Sequence, residues 1–278
     1  MEAYVFVLPF ILGLLMFFAY PLYTSLRLSF SELTKIAGWE MEWLGLDHYR
    51  QAFVIDVEFV PLFVSAIRFT LINTPLIAIF ALIFAIILNK DMKLKGFFRV
   101  VFFLPFLLGT GYIMESLLGQ GVDQQSMRVA RGIIFPEDIV FYLGPRVYGT
   151  INDFLGRITI VLWRLGVQVL LYLSGLQGIS PHLYESAKVD GATEWEMFWK
   201  ITLPMISPVI VLNIVYTVID SFVDIGNPVL EYFNERAFEL LQFDYAAALT
   251  WIYSSFILVV LAVVFAVSKY FVYDVGRK

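Results

Sequence analysis

The chain has 278 residues, of which 60% are hydrophobic and 15% charged, and its mean hydropathy is +0.79. Soluble domains contain roughly 45–50% apolar and 25% charged residues, so this composition indicates an integral membrane protein and excludes a soluble globular domain. The absence of cysteine excludes disulfides, thiolate metal sites and a cysteine nucleophile. A net charge of -5 offers no basic surface for nucleic acid.

Six apolar stretches are long enough to cross a bilayer, which takes about 20 helical residues. The chain is apolar from its start, without a basic leader or a small-residue cleavage site, so the first stretch is interpreted as a membrane helix and not as a cleaved signal. The sequence predicts an all-α polytopic membrane protein with a single transmembrane domain over residues 1–278. Its spans are expected at about 4–23, 62–88, 100–118, 158–176, 206–225 and 246–268.

The connections between these spans differ in charge and length. Residues 31–58 are predicted to form a polar loop outside the membrane, in which acidic residues outnumber basic ones. The second span is followed by a compact basic turn, residues 90–99, of the kind that remains in the cytoplasm. Residues 119–156 form the longest connection and are expected to cover the external membrane face. With six spans, both termini lie on the side of the basic turn.

One connection, residues 180–205, contains helix signals, which by themselves also fit a plain structural helix-turn-helix connector between two spans. Ser180 is a preferred N-cap, and Pro181 suits the first helical position, where its missing N–H costs nothing. Gly191 can adopt a positive φ where this first helix ends. Thr193 and Glu196 form a capping box for a second helix. The sequence therefore predicts two short helices joined by a tight turn, the second of them closed by a Leu-Pro pair.

The residues of this segment resemble the EAA signature of permease subunits in binding-protein-dependent ABC importers. Ser186 replaces the commoner alanine, which is a small-for-small change. The longer sequence around this signature is similar to that of the permeases for carbohydrate uptake, of the maltose and glycerol-phosphate type. The matching residues, to which the resemblance assigns coupling to an ATPase, are Glu185, Ser186, Ala187, Asp190, Gly191, Ile201, Leu203 and Pro204.

The resemblance implies a permease subunit in the cell membrane, with both termini cytoplasmic, that is not itself an enzyme. Its implied partners are a second homologous permease subunit, two ATPase subunits and an extracellular solute-binding protein. The chain has no GxxxxGK[ST] sequence, so ATP and Mg²⁺ are expected on the ATPase subunits. No catalytic residue, cofactor, metal or nucleic-acid site is expected in this chain.

On this interpretation residues 180–205 contain a coupling helix that docks on the ATPase and converts its closure into rotation of the fourth and fifth spans. Glu185 would offer a charged group at the interface, and Gly191 would fix the turn. Trp195 and Trp199 fit two roles, contact with a protein partner or an aromatic belt at the membrane surface.

Polar side chains inside the spans are candidates for substrate contacts, because burying them in lipid is costly. Aromatic and amide groups suit a sugar, which binds by ring stacking and planar hydrogen bonds, but plain hydrogen bonding between helices is the commoner role for any one such residue. Arg164 and Asp220 fall at similar depth in antiparallel spans, which predicts an ion pair. The candidates for the substrate pathway are Trp163, Arg164, Gln168, Tyr172, Asn213, Tyr216 and Asp220.

Two other classes of membrane protein are alternatives to a permease subunit. A secondary transporter driven by an ion gradient is the main alternative, but the spans lack a clear pair of carboxylates at the midplane for ion coupling. An intramembrane enzyme is disfavoured because the spans contain neither cysteine nor histidine nor a paired acid motif.

Overall fold

The computed structural model describes residues 2–35, 40–90, 164–224 and 227–271, together with positions 96, 97, 100, 144, 147 and 151. The predicted third span, nearly all of the predicted external cap and the start of the fourth span therefore lie outside the described residues. The described part is mainly helical, as the sequence predicts, and it includes one two-stranded sheet.

Three helices in the described part are long and apolar enough to cross a membrane, and they coincide with the predicted first, second and sixth spans. They cover Val7–Ser29, Phe59–Asn89 and Phe243–Tyr270. The fifth predicted span is a helix of 16 residues, Ser207–Phe222, which meets the preceding helical stretch Glu194–Met205 at 65°. The fourth is helical over residues 164–177. The total of six spans stays a prediction.

The first span consists of α1 (Glu2–Leu14), a π-helical turn (Leu15–Ala19) and α2 (Tyr20–Ser29). None of the most apolar window of this span is buried by the rest of the protein. An exposed helix of such apolar side chains is stable only where lipid replaces water around it.

Residues 31–35 and 40–58 form more regular structure than the predicted polar loop. Strands β1 (Ser31–Lys35) and β2 (Glu40–Trp43) pair in antiparallel fashion, and α3 (Asp47–Arg50) follows with a π-helical turn. The all-α prediction is therefore wrong for this hairpin. Tertiary contacts stabilise it: the Leu33 N–H donates to the Asp244 carboxylate at 3.0 Å, and Phe30 stacks on Trp43 with ring centroids 5.6 Å apart.

The chain forms two compact units, the first comprising residues 1–69 and 221–262. Its core is aromatic, because rings from several helices meet edge to face, a geometry that aromatic quadrupoles favour. This unit also contains α10 (Pro228–Asn234), a short helix that the sequence did not predict and that Asn227 caps by accepting a hydrogen bond from the Val229 N–H. The core rings are Phe59, Phe63, Phe222, Phe233, Tyr253 and Phe256.

The second unit comprises residues 70–220 and 263–278. Its buried cluster joins α4 (Phe59–Asn89), α5 (164–177) and the start of α9 (Ser207–Phe222). Helices approach closely here: a Cβ built on Gly175 would lie 2.8 Å from the Val209 side chain, so only glycine fits. The cluster includes Ile77, Ala81, Ala85, Leu88, Leu165, Val169, Tyr172, Leu173, Leu176, Ile179 and Ile206.

Candidate functional site

The first helix of the 180–205 segment, α6 (Pro181–Val189), begins where the sequence predicts. Pro181 occupies its first turn and Ser180 has the extended backbone of an N-cap, although the serine side chain makes no capping hydrogen bond. The helix closes on Gly191, whose φ is +80°. The Gly191 N–H donates to the Lys188 carbonyl and the Ala192 N–H to the Ala187 carbonyl, which satisfies the last carbonyls of α6. The predicted role of Gly191 as a turn residue is confirmed.

The second helix begins with the predicted capping box, in which Thr193 and Glu196 exchange hydrogen bonds between side chain and backbone. These bonds, together with nearby Lys200, lower the pKa of Glu196. The helix runs as α7 (Glu194–Met197), a π-helical turn (Phe198–Thr202) and α8 (Leu203–Met205).

The sequence predicts that the second helix ends at Leu203-Pro204. In the structure it ends one residue later, at Met205. Pro204 lies inside α8, and the backbone leaves the helix at Ile206, with φ -90° and ψ 0°. Pro204 has no N–H to donate to the preceding turn, and the wider π-helical turn before it accommodates the proline ring.

The two helices are tied together by one hydroxyl pair. The Tyr184 hydroxyl lies 2.9 Å from Thr202 Oγ1, which in turn donates to the Met197 carbonyl at 3.4 Å. Ile201, beside this pair, packs against the buried cluster of the second unit. The segment is therefore one folded element joined directly to α5 and α9. Sequence analysis missed this contact because its partners are 18 positions apart.

Some of the predicted coupling residues are exposed, and the others are packed inside the protein. Glu185, Ser186, Asp190 and Gly191 are exposed, whereas Ala187, Ile201, Leu203 and Pro204 are half-buried. The Glu185 carboxylate contacts His182 at 3.3 Å, with 71% of its side chain exposed. The outward groups of the motif are thus polar and accessible, and the apolar remainder holds them in place.

A groove of about 250 Å³ lies where α6 and α7 meet the end of α4. Lys90 and Glu194 form an ion pair there, with 3.4 Å between Nζ and Oε2. Both side chains are mostly exposed, so this pair contributes little to stability. A second groove, of about 750 Å³ and mainly apolar, is lined by Leu203 and Pro204 together with residues 263–270 of the last helix.

The structure brings several of the predicted pathway residues together between α5 and α9. The predicted ion pair is present, with 3.9 Å between Arg164 Nη1 and Asp220 Oδ2. Asn213 Nδ2 donates to the Gln168 carbonyl at 2.9 Å, and Gln168 Nε2 donates to Thr217 at 3.4 Å. Gln168 Oε1 is buried without a hydrogen-bond partner in the described part of the chain, so it is available to accept one from a ligand or from water.

The remaining candidates are placed differently. Tyr172 is 1% exposed and belongs to the buried cluster of the second unit, which gives it a packing role. Tyr216 is half-buried on α9. Trp163 lies outside the described residues.

The first unit contains a carboxylate network that sequence analysis missed. Asp56 Oδ2 accepts hydrogen bonds of 2.6 Å from both the Tyr232 and Tyr245 hydroxyls, and Oδ1 accepts from the N–H groups of Glu58 and Phe59. Burial alone would raise the pKa of Asp56, but the hydrogen bonds outweigh burial and lower it. We call these five residues the Asp56 network.

Metal coordination has no support in the part of the chain that the structure describes, since no group of three or more histidine, aspartate or glutamate side chains lies close enough to hold an ion. The described helices instead present the exposed polar groups of α6 and the polar set between α5 and α9.

Comparison with known proteins identifies a family. Residues 52–276 match the family described as binding-protein-dependent transport system inner membrane component. The probable ABC transporter permease protein YesP of Bacillus subtilis is 28% identical, with 98% of this chain and 92% of that protein covered. The arabinooligosaccharides transport system permease protein AraP of the same species is 29% identical, with 79% of this chain and 68% of that protein covered.

A further relative is the trehalose/maltose transport system permease protein MalF of Thermococcus litoralis, which is 28% identical over 78% of this chain and 72% of its own length. Among solved structures, a bacterial ABC transporter involved in the import of the acidic polysaccharide alginate matches with a TM-score of 0.63 and 21% identity. That match covers 99% of this chain and 96% of the other. At this identity the likeness supports the fold alone.

Proposed function

This chain belongs to the family of binding-protein-dependent transport system inner membrane components, and we propose that it forms half of the translocation pathway of an ATP-driven importer for a sugar or oligosaccharide. In this proposal an external solute-binding protein delivers the solute, a second homologous permease subunit completes the pathway, and two ATPase subunits hydrolyse ATP with Mg²⁺. The chain crosses the membrane six times with both termini in the cytoplasm.

The observation that carries the proposal is the folded two-helix element at residues 180–205. Its outward carboxylates, Glu185 and Asp190, are exposed, and its inner residues pack against the spans. A free loop would move without moving the spans. This element is held by the Tyr184–Thr202 contact and by the Gly191 turn, so a force on α6 reaches α5 and α9.

The transported solute would meet the polar groups between α5 and α9. Closure of the ATPase subunits would rotate the 180–205 segment, and α5 and α9, which are continuous with its two ends, would move with it. The spacing of Arg164, Gln168, Asn213 and Asp220 would then change with the ATPase cycle. A pathway whose polar contacts differ between two states is what alternating access requires.

A carbohydrate is the proposed cargo because relatives of this chain are named for carbohydrates, among them arabinooligosaccharides and trehalose/maltose. The amide and hydroxyl groups of Gln168, Asn213 and Thr217 suit the hydroxyl groups of a sugar. A related structure contains a bacterial alginate ABC transporter in complex with a periplasmic protein that holds an alginate pentasaccharide. Delivery by a binding protein is supported here by the family description, which names transport that depends on such a protein.

The test is charge reversal at the exposed motif carboxylate. Glu185→Lys should lower solute uptake by proteoliposomes at least about tenfold, because losing one partner of a hydrogen-bonded charge pair that docking buries costs about 2–5 kcal/mol. The same variant should lose ATPase subunits during co-purification in mild detergent. Membrane insertion and thermal stability should not change, since Glu185 is exposed.

The matched control is Glu42→Lys, which reverses an exposed carboxylate on the β-hairpin. This variant should keep its ATPase subunits. Uptake by Glu185→Lys equal to that of the control, or solute movement by the single chain without any ATPase, would refute the proposal and favour an ion-gradient-driven transporter.

A further inference from the structure

The second helix of the 180–205 segment has two chemically distinct faces. Met197 is buried, at 6% exposure, and it faces the protein. Trp195 and Trp199 are 69% and 50% exposed, on the opposite side of the helix. Two large indoles on one outward face of a single short helix require an environment other than bulk water.

The exposed rings form a preorganised cluster. Trp195 and Trp199 meet edge to face with centroids 5.6 Å apart, and Phe198 contacts both of them. Each indole is therefore held by neighbouring rings, so little side-chain entropy remains to be lost when this face inserts into another medium.

The charged groups on this helix form ion pairs or capping hydrogen bonds. Glu194 pairs with Lys90 at 3.4 Å, and Glu196 accepts the capping hydrogen bonds of Thr193 and lies 3.8 Å from Lys200. The aromatic face is the main feature that this helix offers to its surroundings. By contrast, the exposed carboxylates of α6 suit a protein partner.

The bend at Ile206 sets the depth of this face. If α9 crosses the membrane, the helix before it leaves the span at 65°. Trp199 lies eight residues before Ser207, about 12 Å along the helix, which projects to only about 5 Å along the membrane normal. The interfacial layer is about 5–7 Å deep on each side of the hydrocarbon core, so the Trp199 indole lies within it and Trp195, one helical turn further along, lies at its outer edge.

We propose that the Trp195–Trp199 face is a membrane anchor that lies in the phospholipid headgroup layer, while α6 alone presents the segment to the ATPase. Indoles prefer this layer because their rings are apolar and their N–H groups need a polar acceptor. Anchoring would keep the second helix at constant depth and convert a push on α6 into rotation. The inference goes beyond the proposed function and uses only its topology, in which α9 crosses the membrane.

Lipid-borne quenchers test the anchor. The full chain, reconstituted with its ATPase subunits, is placed in vesicles of phosphatidylcholine brominated either near the carbonyl end or near the methyl end of an acyl chain. Tryptophan fluorescence is compared between wild type and Trp195→Phe/Trp199→Phe, a substitution that keeps aromatic packing. We expect the double variant to lose a component that shallow bromines quench strongly and deep bromines quench weakly.

Trp43→Phe is the matched control, because Trp43 is 73% exposed on the β-hairpin and its loss measures the effect of removing an exposed indole as such. A Trp195–Trp199 component that lipid bromines do not quench and aqueous acrylamide does would overturn the proposal. Protection of that component from acrylamide only when ATPase subunits are present would also overturn it and assign the face to the ATPase. Intact lipid quenching in a wild-type chain that binds no ATPase subunit would instead reject the proposed function and leave the anchor in place.

Discussion

The carboxylate of the Asp56 network and the carboxylates of the 180–205 segment differ in hydrogen bonding and in exposure. Asp56 receives four hydrogen bonds, two from tyrosine hydroxyls and two from backbone N–H groups. Glu185 contacts only a largely exposed histidine in the described part of the chain, and Asp190 forms no ion pair there. A satisfied carboxylate contributes to folding, whereas an exposed one is available to a partner.

This difference explains why polarity alone is a poor guide to function in a membrane protein. Both carboxylates lie in segments that read as polar connections between spans. The geometry around them separates a structural charge from a candidate contact, because a carboxylate that already accepts several hydrogen bonds gains little from another donor. Stability measurements test this separation, because the free energy of unfolding depends on hydrogen bonds inside the protein.

The largest effect is expected at Asp56. Asp56→Asn should lower the free energy of unfolding by about 2–3 kcal/mol, because the amide replaces a charged acceptor of two buried tyrosine hydroxyls. Glu185→Gln, the matched change at an exposed site, should leave stability within about 0.5 kcal/mol of wild type. Thermal unfolding in detergent measures both. Equal losses in the two variants would remove the distinction between the regions.

The stability contributed by Asp56 should also depend on pH with a defined sign. Its pKa is lower in the folded state than in the unfolded chain, so its contribution is complete above the ordinary carboxyl pKa of about 3.9 and is lost as pH falls through the lowered folded value. The stability difference between wild type and Asp56→Asn should therefore be constant near neutral pH and shrink in strong acid. A difference that grows on acidification would contradict the network.

An intermediate effect is expected for the Arg164–Asp220 pair, whose side chains are 16% and 32% exposed. Asp220→Asn should cost about 1–2 kcal/mol, less than for a fully buried pair, because water screens part of the interaction. In an Arg164→Gln background the same substitution should cost much less. Unfolding of the four proteins of this cycle gives the coupling energy, and additive losses would show that the two charges do not interact.

The smallest effect is expected at the hydroxyl contact inside the 180–205 segment. Tyr184→Phe should cost about 0.5–1.5 kcal/mol, the net contribution of one hydrogen bond. In the Tyr184→Phe variant, the further substitution Thr202→Val should lower the free energy of unfolding only a little more. Tyr184→Phe should also lower the ratio of solute transported to ATP hydrolysed, because a less rigid 180–205 segment transmits less movement to the spans. Tyr270→Phe, which removes a hydroxyl from a residue that is 89% exposed, is the control and should change neither quantity.

Local signals in the sequence predicted the 180–205 segment well. The capping box at Thr193 and the left-handed turn at Gly191 are both present, because such motifs involve residues within a few positions of each other. The Leu-Pro end was misplaced by one residue, since a π-helical turn accommodates Pro204 inside the helix. The Arg164–Asp220 pair was predicted because the periodicity and direction of two spans fix relative depth.

The α10 helix has a local signal that sequence analysis did not use, namely Asn227 as N-cap and Pro228 at the first helical position. The hairpin and the Asp56 network were missed for another reason. Each depends on contacts between residues far apart in the chain: Leu33 with Asp244, and Asp56 with Tyr232 and Tyr245. Short strands and short helices have weak intrinsic preferences, and long-range partners decide whether they form.

The sequence by itself determined that this chain is a membrane protein, where its long apolar helices run and which segment carries the family motif, since hydropathy and capping are local properties. Only the tertiary structure decided which polar groups are free. Glu185 is exposed and Asp56 is not because folding places two tyrosine hydroxyls against one carboxylate and leaves the other at the surface. The direction in which each side chain faces depends on packing, and packing is a property of the whole fold.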